Sequence, residues 1–414
     1  MLKTLCCGWF LLISVSLFSQ KHALPKLKTG SWTGNLQLAE NVSLPFKFVI
    51  SKTDKGLSYS VFNDSEEIIL TNPRFKKDSL TIDFPTFNSK LVLKPWKKKQ
   101  LTGYWQNLNK GVNYKIPCTI TEGYNHRFEN TKLYVSNTHI PSNFNGKWES
   151  TFEPNTADAY KAVGLFTQNS TSISGTFLTE TGDYRFLEGT VVEDSLFLSC
   201  FDGSHAFLFT GKLNNDKIDG KFYSGKHWQT DWIATRNDLF TLTHPDSLTH
   251  VVNTDPFTLT LKDLKGNDFT FPNEQYKGKV TIIQIMGTWC PNCMDETRYF
   301  KELYANYHNQ GLEIISVGYE VGDTFEEYAA KISTLKTRLN LEYTFLVGGS
   351  ANKGLASEQF KMLNQIISFP TAIFIGRDGT VKKVHTGFNG PGTGQYYTDY
   401  VKETNAFIQE LLKQ

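Results

Sequence analysis

Cys290 and Cys293 are separated only by Pro291 and Asn292, at a point where an apolar run ends and a helical pattern begins. Two thiols at that spacing can exchange with a disulfide, and the attacking species is the thiolate. A helix start favours an anion, because its first backbone N–H groups lack partners and the dipole is positive there. Cys290, at the exposed start, is therefore expected to have a lowered pKa and to act as nucleophile. Cys293, one turn along and more buried, is expected to resolve the mixed disulfide and release reduced substrate. Pro291 suits the first helical position and stiffens the loop. A structural zinc site needs four ligands; there is a single cysteine pair, and the nine histidines form no short-spaced cluster. An inert disulfide is the remaining alternative, although a C-x-x-C pair at a strand-to-helix junction reads as redox-active.

The elements that must position this pair follow from periodicity. Lys279–Met286 reads as a buried strand. The helix after Cys290 carries Phe300, Leu303, Tyr304 and Tyr307 at helical spacing and stops at Gly311. Leu312–Gly318 reads as a second strand. Asp323–Glu327 has a capping-box signature, followed by an apolar stripe of Tyr328, Ile332, Leu335 and Leu339. Tyr343–Val347, Thr371–Ile375 and Val381–His385 read as strands, the last two joined by a turn at Arg377–Thr380, and Tyr397–Leu412 as a final helix. Phe257–Leu261 and Asp268–Phe271 form a hairpin ahead of them. The order β-α-β-α-β-β-α predicts a mixed sheet with helices on both faces.

Gly287-Thr288-Trp289-Cys290-Pro291-Asn292-Cys293 resembles the active-site segment of the TlpA/ResA-like thiol-disulfide oxidoreductases, a branch of the thioredoxin superfamily, and the resemblance covers about residues 253–414. Phe369-Pro370-Thr371-Ala372-Ile373-Phe374-Ile375 with Asp378-Gly379 resembles the family's second motif. The resemblance implies a cis Pro370 facing the dithiol, with Trp289, Phe369 and Pro370 forming the surface that receives an extended substrate. Read alone, Pro370 is a strand-start proline. Glu296 falls where the family has an acidic residue that assists proton transfer; read alone, it is equally a solvated partner of the helix dipole. Ordinary thioredoxins carry a buried aspartate six residues before the first cysteine, and Gln284 stands there instead. The segment Asp323–Asn340 resembles the family's central insertion and Phe257–Phe271 its added hairpin. A peroxiredoxin signature is absent, since Met286 and Gly287 occupy its Pro and Thr/Ser positions. Glu320 and His385, isolated polar residues near strand ends, read as structural. No cofactor signature is present, so the resemblance implies disulfide-containing protein substrates and a thiol-based electron donor, working in the reducing direction; oxidase or isomerase action is the alternative.

The composition changes near residue 250. Residues before it read as β throughout, with short Phe-, Tyr-, Val-, Ile- and Thr-rich runs between Gly, Asn and Asp clusters. Gly30-Ser31-Trp32 recurs as Gly146-Lys147-Trp148, Asp78-Ser79-Leu80 as Asp194-Ser195-Leu196, and Gly103-Tyr104-Trp105 as Gly220-Lys221-Phe222, at a nearly constant offset. Either one β unit is duplicated or short aromatic-glycine patterns recur by chance. The expected fold is multidomain: an N-terminal all-β region of two antiparallel barrel or sandwich units (21–135 and 136–240), a linker (241–252) and a C-terminal α/β thioredoxin-like domain (253–414). The β region offers a second reading of function, a substrate- or partner-binding module with an accessory redox domain.

Residues 1–20 read as a signal peptide, with Lys3 ahead of the apolar Leu5–Phe18. Export to the periplasm with no membrane span after cleavage is expected; the alternative is an N-terminal anchor with the protein facing the periplasm. Cys118 and Cys200 then remain outside the pair, either as small hydrophobes or joined to each other. A net charge of +2 gives no reason to expect nucleic acid as a partner, and runs such as Lys97-Lys98-Lys99 read as a solvated turn or edge strand.

Overall fold

The computed structural model describes residues 27–76, 78–95, 99–129, 141–253 and 255–414. The signal-peptide reading of residues 1–20, and Lys97 and Lys98 of the basic run, lie outside the described residues. Among the described residues no helix is long and apolar enough to cross a membrane.

The β region contains two nine-stranded antiparallel sheets. In the first, Gly30–Ala39 pairs with both Val42–Thr53 and Lys115–Glu122. In the second, Gly146–Phe152 pairs with both Tyr160–Asn169 and Trp228–Arg236. There Tyr160–Asn169 also pairs with Ser172–Thr179, which pairs with Leu187–Val192, so the sheet closes into a barrel. The recurring landmarks occupy equivalent places. Trp32 and Trp148 are both buried, and each indole N–H donates to a carbonyl four residues back, Lys28 at 3.1 Å and Phe144 at 2.9 Å. Gly103 and Gly220 each lie against a neighbouring strand, where a Cβ would stand 1.9 Å from the Val92 carbonyl oxygen or 2.3 Å from that of Thr210.

The two sheets also share a core. Phe201, from the second, packs against Phe46, Phe84 and Trp105 of the first at centroid distances of 4.8, 5.1 and 5.2 Å. Asn63 and Phe201 exchange two hydrogen bonds of 3.0 Å each. Cys118 and Cys200 are both buried and free, in different clusters, so the disulfide left open by the sequence is not formed.

The C-terminal sheet has seven strands. Val280–Met286, Leu312–Glu320 and Thr344–Ser350 run parallel at its centre, and Thr371–Ile375, Val381–Thr386, Leu259–Asp263 and Asp268–Phe271 add antiparallel edges. The first two central strands are buried at every residue, as a sheet covered on both faces requires. Thr324 caps the helix Phe325–Arg338 by accepting from the Glu327 N–H. The helix Lys353–Gln359 was not expected; at seven residues it is too short to show an apolar period.

The segment expected as a linker, 241–252, contains ordered structure. Pro245–Leu248 is a short helix, and Asp246 accepts from His385 Nδ1 at 2.7 Å and pairs with Lys383 at 3.0 Å. The segment is thereby fixed to the strand Val381–Thr386, and burial lowers the pKa of His385 despite the carboxylate beside it.

Candidate functional site

Val280–Met286 ends at Gly287, where only a glycine fits. A Cβ there would lie 2.4 Å from the Trp289 indole nitrogen and 2.9 Å from the Tyr319 carbonyl oxygen. The end of the next strand holds the loop that follows. Glu320 accepts from the Thr288 N–H at 2.8 Å and hydroxyl at 2.6 Å, and the Trp289 indole N–H donates to Tyr319 O at 3.0 Å. Burial pushes the pKa of Glu320 up to about 7. The structural reading of Glu320 therefore acquires a definite content: it fixes the residues just before the dithiol.

Cys290 is the N-cap of the helix Pro291–Tyr307, and Cys290 and Cys293 form a disulfide. The Cys293 N–H donates to Cys290 Sγ at 3.2 Å. That contact and the helix dipole would stabilise a thiolate on Cys290 in the reduced state. Opposite, the Phe369–Pro370 peptide is cis, and Cys290 Sγ lies 3.5 Å from the Phe369 carbonyl oxygen. The Phe369 ring stacks on Tyr319 at 5.3 Å and meets Trp289 edge-on at 6.1 Å.

Beneath the dithiol, Glu296 is fully buried. Gln284 Nε2 donates to Glu296 Oε2 at 2.9 Å, and Ser316 Oγ donates to Gln284 Oε1 at 2.7 Å. Burial pushes the Glu296 pKa up to about 8, with the Gln284 hydrogen bond opposing. Glu296 Oε1 is buried with no hydrogen-bond partner among the described residues. The solvated reading of this residue is thus excluded, and a carboxyl that exchanges its proton near neutral pH sits one helical turn from Cys293.

The expectation of an exposed Cys290 is not met: the residue is 7% exposed. Residues of the second β sheet, far away in sequence, are hydrogen-bonded to its neighbourhood. Ser204 Oγ donates to Trp289 O at 3.0 Å, and Ser368 Oγ donates to Thr181 O at 3.0 Å. Asn292 Nδ2 donates to Asp183 O at 3.4 Å and Phe388 O at 3.3 Å, while Gly390 N donates to Asp183 Oδ2 at 2.6 Å. Arg185 forms an ion pair with Asp295 on the active-site helix and another with Glu66 of the first sheet. A cleft of about 590 Å³ remains over the dithiol, with Trp289, Cys290 and Phe369 on one side and barrel residues on the other. The sequence singles out the cysteines, Trp289, Phe369, Pro370 and Glu296, and the structure places them around the start of the helix Pro291–Tyr307. The sequence does not single out Asp183, Arg185 and Ser204, which carry no local signal because their roles exist only through long-range contact.

These features define a thioredoxin-like dithiol/disulfide domain behind an all-β region. Residues 251–400 match the family model described as Redoxin. The thiol-disulfide oxidoreductase ResA of Geobacillus kaustophilus strain HTA426 is 33% identical over 129 residues, 31% of this chain and 64% of that protein. ResA of Geobacillus thermodenitrificans strain NG80-2 is 31% identical over 129 residues, again 31% and 64%. A solved thiol:disulfide interchange protein of the thioredoxin family from Chlorobium tepidum TLS is 16% identical, covering 39% of this chain and 99% of that one, with a TM-score of 0.30. The chain thus spans about 64% of the length of those two curated relatives. The C-terminal segment is thus similar to the TlpA/ResA-like thiol-disulfide oxidoreductases of the thioredoxin superfamily.

Proposed function

We propose that the protein is an exported thiol-disulfide oxidoreductase that reduces disulfides of periplasmic proteins. The observation that carries this reading is the Cys290–Cys293 pair at a helix N-terminus, faced by Phe369–Pro370 and backed by the buried Glu296. The Cys290 thiolate attacks one sulfur of the substrate disulfide, forming a mixed disulfide and expelling a substrate thiolate, which takes a proton from solvent. Glu296 as carboxylate accepts the Cys293 proton, directly or through water. Cys293 then attacks Cys290 Sγ, closing the intramolecular disulfide and expelling the second substrate thiolate, to which the proton passes. Two electrons move from the dithiol to the substrate, and an external thiol system restores them.

Trp289, Phe369 and Pro370 receive the substrate in this reading. The apolar run Leu5–Phe18 behind Lys3 supports export. The division into β units at 21–135 and 136–240 and a redox domain at 253–414 belongs to the same proposal, supported by the change from all-β to mixed α/β structure. Turnover of a disulfide substrate by the full chain tests it. Cys290→Ser should abolish turnover, and a variant retaining it would overturn the assignment.

A further inference from the structure

We propose that the barrel of the second β sheet forms the far wall of the active-site cleft and restricts the substrate to disulfides on extended polypeptide with apolar or aromatic neighbours. The inference rests on the oxidoreductase reading above and adds a substrate class to it. The wall is built by the turn Glu180–Thr181 and by Tyr160, Tyr184 and Phe207. Its placement is fixed from both sides. A Cβ on Gly182 would stand 2.0 Å from Asn292 Nδ2, so the turn lies in direct contact with the C-P-N-C loop. Ser368, beside Phe369, is hydrogen-bonded to Thr181 O.

Two properties of the cleft select the occupant. The first is shape. Cys290 is 7% exposed and lines a cleft of about 590 Å³. A folded partner presents a broad face, about 800 Å² per side in a stable complex, and cannot bring an S–S bond down to Cys290 without displacing the turn. A single extended segment can. The second is chemistry. Five aromatic side chains line the cleft: Tyr160, Tyr184, Phe207, Trp289 and Phe369. The lysine there, Lys161, is paired with Glu149 at 2.7 Å. No concentrated positive charge awaits the carboxylates of a small acidic disulfide, whereas aromatic walls suit apolar side chains flanking a cysteine.

The test uses pre-reduced full-length protein in single turnover, reading released thiol against concentration. Three probes are compared: a small folded domain bearing a terminal Phe-Cys-Tyr, dimerised through that cysteine, with a linker of about 20 residues; the same dimer with a linker of about two residues; and oxidised glutathione. The long-linker dimer should react at least tenfold faster than either of the others. Thr181→Trp, at an exposed turn position, should raise its half-saturation concentration at least fivefold more than it lowers the maximal rate. Equal rates for the two dimers, a faster reaction with glutathione, or an unmoved half-saturation in Thr181→Trp would each overturn the inference. Reduction of dithiobis(2-nitrobenzoate) separates the two levels. If it proceeds while the probes fail as described, only the substrate class falls; if it too is absent, the oxidoreductase reading falls with it.

Discussion

Glu296 has no cation beside it in the hydrogen-bond and ion-pair contacts of the site; its anchors are the neutral amide of Gln284 and burial. The consequence for stability has a definite sign. Its pKa rises from the ordinary 4.5 to about 8 in the folded protein, so the folded state holds more protons than the unfolded one between those values. The contribution of Glu296 to stability is therefore most favourable below pH 4.5 and is lost progressively as pH rises to about 8. Glu296→Gln keeps the hydrogen-bond acceptor and removes the titration. Its melting temperature should match that of the parent near pH 4.5 and exceed it increasingly toward pH 8. The same variant should turn over roughly a hundredfold more slowly and lose the rise in rate as pH passes through about 8. Parallel stability curves, or an unchanged pH profile, would remove the proton-handling role. At this scale the sequence is informative where chemistry is local. The cysteine spacing and the Gln284 substitution are legible, whereas the burial that tunes Glu296 depends on strands brought together only by folding.

Elements with strong periodicity are read well. The central strands, the active-site helix and the capped helix Phe325–Arg338 appear close to where apolar spacing puts them. The helices Lys353–Gln359 and Pro245–Leu248 escape, because one or two turns cannot display a period. The repeat across the β region was legible through its glycines and aromatics, and the reason is steric. Gly103 and Gly220 sit where a Cβ would strike a neighbouring strand's carbonyl. Gly103→Ala and Gly220→Ala should each destabilise the protein by about 1–3 kcal/mol or more, seen as a lowered urea midpoint. A midpoint equal to that of the parent for either variant would show that the close approach relaxes freely.

At the scale of the whole molecule, a buried cation links the β region to the active-site helix. Arg185, 4% exposed in its side chain, pairs with Glu66 of the first sheet, with Asp202 of its own sheet at 3.6 Å and with Asp295 of the active-site helix. Removing it would leave the buried Asp295 with Arg298, the buried Asp202 with His205, and Glu66 without this partner. Arg185→Met should cost about 3–5 kcal/mol and should gain little from added salt, because buried pairs are weakly screened. A loss below about 1 kcal/mol would mean that the junction is solvated. None of this was legible in the sequence. Two of these ion pairs, Arg185–Asp295 and Arg185–Glu66, join positions more than a hundred residues apart, and neither the shared core around Phe201 nor the burial of Cys290 follows from any local pattern. The two cysteines nonetheless remain the centre of the account, Cys290 as attacker and Cys293 as resolver. Incubating Cys293→Ser of the full chain with a disulfide-bearing unfolded polypeptide, followed by non-reducing mass analysis, tests that assignment most directly. A stable one-to-one mixed disulfide mapping to Cys290 is predicted, with none formed by Cys290→Ser. No adduct on Cys290, or an equal adduct on Cys293 in Cys290→Ser, would contradict it.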